Sequence, residues 1–367
     1  MKTPTTSAIP PDIRCAQDYE LAAQRSMAEA SYAYVAGGSG RDLTVAANLA
    51  AFSQWSVYPR VLRDVTGGHT RLRLGKQTFP HPILLAPVAF QKLAHPVGEI
   101  DTARAARAMD SCMICSTLSS CLLEDVAQAA GHDKWFQLYF QNRRDDTRSL
   151  LARAEAAGFS AIVVTLDASI QVASARALQA GFQMPADCVA VNLPENYAGQ
   201  TVELAPDDSR IFQGAMRAAP GWSDLTWLMA ETSLPVWVKG ILHPDDALAL
   251  KAAGVAGIVV SNHGGRSLDG APASLTVLPA IRAAVGEDFP LLLDGGIRSG
   301  SDVFKALALG ADAVLVGRLQ MYALSVAGAL GVAHMIKLLR EELEICMAQA
   351  GCAGLADIDS NALLPAL

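Results

Sequence analysis

Short apolar runs recur along the chain, and stretches with a helical pattern, such as RSLLARAEAAGF and SGSDVFKALALGA, separate most of them. Eight of the runs have the length and continuity of strands that are buried on both faces. They are PILLAPVAF from Pro82, CMICST from Cys112, WFQLYF from Trp135, AIVVTLD from Ala161, PVWVKG from Pro235, GIVVSNHG from Gly257, PLLLDGG from Pro290 and AVLVGR from Ala313. Strands that alternate with helices indicate an α/β protein with a parallel sheet. Eight such units in 367 residues favour a (β/α)8 TIM barrel, with a doubly wound open sheet as the second candidate.

The same pattern divides a single predicted domain, 1–367, into parts. A helical segment at about 16–60 precedes the barrel, which spans about 82–350. Between the fourth and fifth strands, the segment at about 186–220 is polar, rich in Pro and Gly, and acidic in places. A long segment of this kind is typical of a lid loop over the mouth of a barrel.

The composition fits a globular enzyme and argues against other classes of protein. The chain is 51% hydrophobic with a net charge of -7 and no basic stripe, so nucleic acid is not the expected partner. The apolar runs are shorter than the roughly 20 residues that cross a bilayer, so membrane insertion is not expected. The N-terminal sequence lacks the apolar core of a signal peptide, which predicts a cytoplasmic location.

Seven cysteines are spread along the chain, and this odd number fits reduced thiols. Cys112 and Cys115 form a C-x-x-C pair within a predicted strand. Residues three apart on a strand point to opposite faces. The two are therefore predicted to be buried thiols rather than a metal or redox pair.

A TIM barrel collects its functional groups at the C-terminal ends of its strands. Polar side chains, or backbone that a ligand could approach, stand at nearly every one of these ends, which predicts one shared site. In chain order they are Pro87, Val88, Ala89, Ser116, Thr117, Gln137, Tyr139, Thr165, Asp167, Lys239, Ser261, His263, Asp294, Gly317 and Arg318.

The loops after the seventh and eighth strands have the composition of a phosphate site. Gly295 and Gly296 precede Arg298, and Gly317 precedes Arg318. Glycines let backbone amides approach an anion closely, and guanidinium groups add charge and hydrogen bonds. These two loops are also where barrel enzymes usually bind phosphate. We therefore predict a phosphorylated ligand at this position.

Four segments carry a resemblance to a known family: FQLYF, PVWVKG, SNHGGRSLDGAPASL and DGGIRSGSDVFKALALGADAVLVGR. From about Tyr32 to Gly351, the chain closely resembles the FMN-dependent L-2-hydroxy acid oxidases and dehydrogenases, the group of glycolate oxidase, lactate oxidase and mandelate dehydrogenase. The resemblance implies that FMN lies across the barrel mouth, with its phosphate held by the strand seven and strand eight loops. It also implies oxidation of an L-2-hydroxy acid, lactate-like or larger, to the 2-oxo acid.

The resemblance implies roles for five residues near the substrate. His263 matches the active-site base, and histidine suits proton removal near neutral pH. Arg266 matches the arginine that binds the substrate carboxylate, for which a planar fork is suited. Asp167 matches the carboxylate that stabilises the imidazolium, as the acid of a catalytic triad does. Tyr34 and Tyr139 match two tyrosines that reach the carboxylate and hydroxyl of the substrate.

The remaining positions match the cofactor-binding set of the family. Lys239 matches a lysine at the pyrimidine edge of the flavin, where a cation stabilises the anionic reduced ring. Asp294 resembles a ribityl contact, and Ser261 belongs to the same cofactor-binding set. The ring-binding positions are Pro87, Val88, Ala89, Ser116, Gln137 and Thr165, and the phosphate and ribityl positions are Gly295, Gly296, Arg298, Gly317 and Arg318.

The chain departs from the family pattern at two positions near the substrate. Ser174 stands where family members often have a second arginine for the carboxylate, and Arg176 is the nearest cation. Either Arg176 reaches the site, or the carboxylate depends on Arg266 and the tyrosines. Leu118 stands where glycolate oxidases tend to have tryptophan, which implies a roomier pocket. Position 89 carries alanine, whereas lactate monooxygenase has glycine at the matching position. The resemblance therefore implies release of the 2-oxo acid without decarboxylation.

The expected partners are a small 2-hydroxy acid and an electron acceptor, either oxygen, with peroxide as product, or a quinone or dye. The resemblance also implies a homo-oligomer, a tetramer. Two other functions remain open from the sequence. A Schiff-base aldolase would use Lys239 as its nucleophile, and a non-catalytic flavin or metabolite binder would use the cofactor site alone.

Overall fold

The computed structural model of the protein describes residues 8–75, 77–194 and 204–366. The eight predicted strands form a closed barrel in which every neighbouring pair is parallel and the strands follow one another in chain order. The prediction of a TIM barrel is confirmed, and the open sheet is excluded. The strands are β1 Ile83–Leu85, β2 Met113–Ser116, β3 Lys134–Leu138, β4 Ile162–Thr165, β5 Val236–Ile241, β6 Gly257–Val260, β7 Leu291–Asp294 and β8 Ala313–Val316.

The helices fall into two groups. Three of them precede the barrel, and the others follow individual strands of the barrel. They are α1 Asp18–Ser26, α2 Glu29–Ala36, α3 Leu43–Ser53, α4 Glu99–Ala108, α5 Leu123–Ala129, α6 Arg144–Ala156, α7 Ala175–Gln179, α8 Trp222–Glu231, α9 Pro244–Ala253, α10 Ser274–Val285, α11 Gly300–Ala308 and α12 Arg318–Ala350. Helix α2 brings Tyr34 to the barrel mouth from outside the barrel repeat.

Two short antiparallel pairs complete the structure. Trp55–Val57 pairs with Leu363–Pro365, which joins the C-terminal segment to the segment that follows the third helix. Leu72–Leu74 pairs with Gln77–Phe79, and the apolar side chains of this hairpin belong to the same buried cluster as Trp135 inside the barrel. The hairpin thus covers the N-terminal end of the barrel and leaves the opposite end open for a site.

The barrel interior is a packed core. The rings of Trp135 and Trp237 stack there with their centroids 5.0 Å apart. Gly257 on the next strand makes room for them, because a Cβ atom at this position would lie 2.2 Å from the Trp237 ring. Cys112 belongs to this inner cluster, while Cys115 belongs to the outer one between strands and helices. The two thiols are free and buried on opposite faces of β2, as the strand spacing predicts.

Helix α12 has 33 residues and, by length and composition alone, is apolar enough to cross a membrane. The helical backbone is interrupted at Ala327 and Gly328, and 67% of its most apolar window is buried inside the protein. The core helix of a soluble protein can have the same length and composition, so this helix is weak evidence for membrane insertion. The apolar runs of the sequence did not single out this helix.

The predicted lid, about 186–220, is described in two parts, and its residues 195–203 lie outside the described chain. The first part is attached to the barrel through Asn192. The Asn192 side chain accepts a hydrogen bond from the Leu123 backbone N–H at 2.9 Å and another from Arg153 at 3.0 Å. The second part contains the helical turns Arg210–Gly214 and Ala215–Ala218. The lid role and the single-domain organisation stay predictions.

Candidate active site

The C-terminal ends of the barrel strands open onto one cavity. Most of the predicted site residues line it: Tyr34, Pro87, Val88, Ala89, Ser116, Tyr139, Lys239, His263, Arg266, Asp294, Gly295, Gly296, Arg298, Gly317 and Arg318. The other four stand behind the lining and contact it. Asp167 bonds His263, Gln137 bonds Ser116, Ser261 bonds Lys239, and Thr165 is the strand partner of Lys239.

His263 and Asp167 form a hydrogen-bonded pair. The His263 Nδ1 atom lies 2.8 Å from Asp167 Oδ1, and both side chains are largely buried. Because Nδ1 is engaged, the other ring nitrogen, Nε2, is the one that faces a substrate; it lies 3.5 Å from the Tyr139 hydroxyl. Burial would raise the pKa of the Asp167 carboxyl, but the His263 imidazole and the Lys239 ammonium outweigh it, so this pKa lies below its ordinary value. Asp167 is therefore an anion that can stabilise an imidazolium.

The backbone of His263 is unusual for a non-glycine residue. Its φ of 59° lies in the left-handed region. The Ser261 hydroxyl accepts the His263 N–H at 3.0 Å, and Gly264 and Gly265 continue the turn with positive φ. The glycine pair thus lets the chain reverse, so that His263 and Arg266 both face the cavity.

Lys239 is buried and held as a cation. Its ammonium lies 2.9 Å from Asp294 Oδ2 and 2.8 Å from the Ser261 hydroxyl. Burial would lower the pKa of Lys239, but the carboxylates of Asp294 and Asp167 outweigh it and raise this pKa above its ordinary value. A protonated amine is not a nucleophile, so the charge state of Lys239 argues against a Schiff-base aldolase.

Arg266 is anchored at the C-terminal end of α2. Its Nη1 donates to the carbonyls of Tyr34 at 2.9 Å and Gly37 at 3.0 Å. A guanidinium has five N–H donors, and the Nε–Nη2 edge of Arg266 has no hydrogen-bond partner among the described residues, so it is left for a ligand. The guanidinium also lies over the Tyr34 ring, 4.7 Å from its centroid. A carboxylate that meets this edge can accept two parallel hydrogen bonds.

The two arginines of the predicted phosphate site also have protein partners. Arg298 Nε donates to Glu20 of α1 at 2.9 Å. Arg318 donates through all three of its nitrogens to backbone carbonyls, among them that of Gly37 at 2.7 Å and that of Gly264 at 2.6 Å. Burial lowers the pKa of Arg318 to about 10, and repulsion from Arg266 adds to this. Arg318 therefore stays charged at neutral pH, and both guanidinium groups keep N–H groups for an anion.

Unsatisfied polar atoms show that the cavity fits a flavin. Gln137 Nε2, Thr165 Oγ1 and Asp294 Oδ1 are buried and have no hydrogen-bond partner within the described residues. Such atoms cost free energy unless a ligand pairs with them, and the edge of an isoalloxazine ring and a ribityl chain offer donors and acceptors. Gly295 and Gly296 have φ of 99° and 91°, a backbone that turns amides toward a phosphate as side-chain-bearing residues rarely do.

The loop after β4 is built differently from the family pattern. Ser174 is the N-cap of α7, and its hydroxyl accepts the Ala177 N–H at 3.3 Å. Arg176 pairs with Asp42 at 2.8 Å and does not line the cavity. Of the two arrangements that the sequence left open, the structure has the one in which Arg266 and the two tyrosines line the cavity and Arg176 does not. Leu118 lines the cavity, as predicted from its position.

Sequence reasoning missed several residues of the site. Phe90, Gln171 and Met321 line the cavity; each follows a strand end by a few residues, so their position was a usable signal. Glu20 and Phe182 contact Arg298 and Tyr34, respectively. Nothing local in the sequence indicates these last two, because their contacts depend on how the N-terminal helices pack against the barrel.

The barrel mouth fits a phosphorylated ring cofactor, and a histidine and a guanidinium lie beside that place. These features define a class of protein, the flavin-dependent oxidoreductases that act on the CH–OH group of 2-hydroxy acids. The chain belongs to the FMN-dependent dehydrogenase family, which matches residues 23–365. FMN is therefore its cofactor. This family assignment confirms the resemblance found in the sequence, and nothing supports an aldolase.

Comparison with individual proteins gives the same answer. The chain is 65% identical to an L-lactate oxidase of Alicycliphilus denitrificans over 97% of this chain and 98% of the relative. It is 37% identical to human 2-hydroxyacid oxidase 1, with 96% of each chain covered. The crystal structure of a mandelate oxidase with (S)-2-phenylpropionate superimposes with a TM-score of 0.86 at 39% identity, covering 96% of this chain and 98% of that one.

Proposed function

We propose that the protein oxidises L-lactate, or an L-2-hydroxy acid of similar size, to the 2-oxo acid, with oxygen as the electron acceptor. One observation carries the proposal: His263 and Arg266 line the same cavity, beside a place that fits FMN, and their hydrogen bonds within the protein use His263 Nδ1 and Arg266 Nη1. The 65% identity to an L-lactate oxidase supports the choice of substrate and acceptor.

Each residue around the proposed substrate position has a separate role. Arg266 receives the substrate carboxylate on its Nε–Nη2 edge, and Tyr34 and Tyr139 supply hydroxyls near the carboxylate and the reacting hydroxyl. His263 Nε2 accepts a proton from the substrate. Asp167, already ionised, stabilises the charge that His263 gains and fixes Nε2 toward the substrate. FMN, when bound, takes up the two electrons that leave the substrate.

The Lys239–Asp294 pair belongs to the cofactor side of the proposed site. A fixed ammonium group stabilises negative charge on a reduced flavin ring. The 2.9 Å contact with Asp294 holds this ammonium in place, and Asp294 Oδ1 remains for the ribityl chain. Arg298, Arg318 and the glycine turns receive the phosphate.

The product assay tests both the substrate and the acceptor. Enzyme, L-lactate and air without catalase should give pyruvate and hydrogen peroxide in equal amounts, since each lactate passes two electrons to one O₂. Ala89 lines the cavity with a methyl group, and we expect it to favour release of pyruvate over its decarboxylation. D-lactate is the matched control and should not reduce the flavin. Acetate as main product would refute the Ala89 argument, and pyruvate formed only with a dye or quinone would make the protein a dehydrogenase.

We further propose that the protein is a cytoplasmic homotetramer. All seven cysteines are free, which suits a reducing compartment. Val61 and Leu62 are 81% and 102% exposed, although large apolar side chains that project in this way are often covered by another subunit. Light scattering on the holoenzyme in solution measures the mass; a monomer would refute the tetramer.

A further inference from the structure

Three side chains form a stack at the edge of the cavity. The Arg266 guanidinium lies over the Tyr34 ring, 4.7 Å from its centroid. The Phe182 ring stacks on the same Tyr34 ring at 4.3 Å with an interplanar angle of 17°. Phe182 itself does not line the cavity, so its effect on a ligand would pass through Tyr34 and Arg266.

The charges around the mouth show why this stack matters. Arg266 has no carboxylate partner within the described residues, whereas other cations near the cavity are committed elsewhere. The committed groups and their partners are Lys239 with Asp294, Arg298 with Glu20, Arg176 with Asp42, and Arg318 with the carbonyls around Gly37 and Gly264. Because Ser174 is uncharged, the substrate carboxylate depends on the edge of Arg266 alone for a charged partner.

The direction of that edge depends on the position of α2. Both Nη1 hydrogens of Arg266 are used on the carbonyls of Tyr34 and Gly37. Any shift of the α2 end therefore turns the guanidinium. A bidentate grip on a carboxylate tolerates little rotation, because both hydrogen bonds must stay nearly linear.

The segment around α7 holds the α2 end in place. Ser174 forms a β-bridge with Gly40, Arg176 pairs with Asp42 at 2.8 Å, and the Phe182 ring then covers Tyr34. In the family pattern this segment carries a second arginine for the substrate. In this chain it supports Arg266 instead. We propose that Phe182 is a positioning residue that determines the affinity for the substrate carboxylate by holding Tyr34 and Arg266. This inference rests on the proposed function.

The test is Phe182→Leu, which keeps an apolar side chain but removes the ring. Stacked aromatic pairs contribute enough to change a binding constant by roughly three- to tenfold. We expect KM for L-lactate to rise by this factor, while the limiting rate of flavin reduction falls less than about twofold and the affinity for FMN is unchanged. Phe182→Tyr, which retains the stack, should restore the wild-type KM.

Coupling to Tyr34 separates positioning from a general structural effect. In a Tyr34→Phe background the ring stack persists, so Phe182→Leu should still raise KM. In a Tyr34→Leu background it should add nothing. Leu178→Ala is the matched control on the neighbouring helix, because Leu178 is 67% exposed, and should leave KM unchanged. A wild-type KM in Phe182→Leu, a loss of rate at unchanged KM, or the same effect in the Tyr34→Leu background would overturn the proposal.

A binding measurement keeps the inference separate from the proposed function. Oxalate carries the carboxylate without being oxidised, and its binding changes the absorption spectrum of a bound flavin. Its Kd should rise three- to tenfold in Phe182→Leu, whichever hydroxy acid is the true substrate. An unchanged oxalate Kd refutes the role of Phe182. A wild-type enzyme that binds oxalate but is not reduced by L-lactate refutes the proposed substrate and leaves the positioning role standing.

Discussion

At the scale of single residues, the site depends on glycines that create room for catalytic side chains. Gly240 lies at the irregularity of β5, where the register shifts between Lys239 and Ile241. Its φ is 104°, and a Cβ atom there would lie 2.5 Å from Asp167 Cγ. No side chain fits at this distance, so the hydrogen bond between Asp167 and His263 requires glycine at 240.

Gly240→Ala should therefore displace Asp167 and slow flavin reduction by about 10²-fold, a typical effect of impairing a general base. FMN content should stay near that of the wild type, because Asp167 does not line the cavity. Stopped-flow reduction by L-lactate measures the rate. In an Asp167→Gly background, which lacks the Cβ and Cγ atoms that would lie 2.6 and 2.5 Å from the added methyl group, the same substitution should have little further effect on the rate. Additive losses would show that Gly240 acts through the fold instead.

At the scale of secondary-structure elements, His81 connects the start of β1 to the end of α4. Its Nδ1 accepts the Ile83 N–H, and its Nε2 donates to the Met109 carbonyl, both at 3.3 Å. This arrangement requires a neutral ring. Burial lowers the pKa of His81 from 6.5 to about 4, because a charged imidazole would lose both its hydration and the Ile83 hydrogen bond.

The sign of the pH effect follows from that shift. Below pH 6.5 the unfolded chain binds a proton at His81 that the folded protein does not bind. The contribution of the neutral His81 ring to the free energy of unfolding is therefore fully present above pH 6.5 and is lost as the pH falls toward 4. The loss amounts to roughly 3 kcal/mol over this window. Thermal unfolding of the holoenzyme across this range should show a smaller slope for His81→Gln than for wild type. The exposed His132 is the control, and an equal change of slope in His132→Gln would contradict this assignment.

At the scale of the whole molecule, the cavity joins parts of the chain that are distant in sequence. Helix α2, the turn after β6 and the loops after β7 and β8 all meet around it. A ligand that contacts all of them binds the folded state only, and so stabilises the whole structure. We expect the unsatisfied atoms of Gln137, Thr165 and Asp294 also to gain partners when FMN binds.

Removal of FMN should lower Tm by roughly 3 to 5 °C, the effect of about 2.7 kcal/mol at 100-fold excess over Kd on a chain of 367 residues. Addition of FMN to the apoprotein should restore Tm. Riboflavin, which has the ring and ribityl chain but no phosphate, should restore only part, because it leaves Arg298, Arg318 and the glycine turns without an anion. Full recovery with riboflavin would refute the phosphate site.

Local pattern was sufficient for most of the fold. A strand such as Leu291–Asp294 is buried on both faces, so its sequence is continuously apolar and easy to recognise. Parallel strands in one barrel place their C-terminal ends on one rim, so the strand ends alone predict that His263, Asp167 and Lys239 lie together. Helix α12 was harder, because length and composition do not separate a core helix from a membrane span, and only the folded chain shows how much of this helix is buried.

The sequence by itself thus determined the barrel, the rim on which the site lies and the residue types that carry the chemistry, because periodicity and strand ends are local properties. Only the tertiary structure decided which charged side chains already have partners within the protein. The pairing of Arg298 with Glu20 spans 278 positions, and the contact of Phe182 with Tyr34 crosses from the barrel to α2. Such contacts depend on how distant elements pack, and packing is set by the shape and volume of the assembled core rather than by any one segment. For this reason the sequence located the arginines, while the folded chain decided that Arg266 lines the cavity without a carboxylate partner among the described residues, whereas Arg298 and Arg176 each have one.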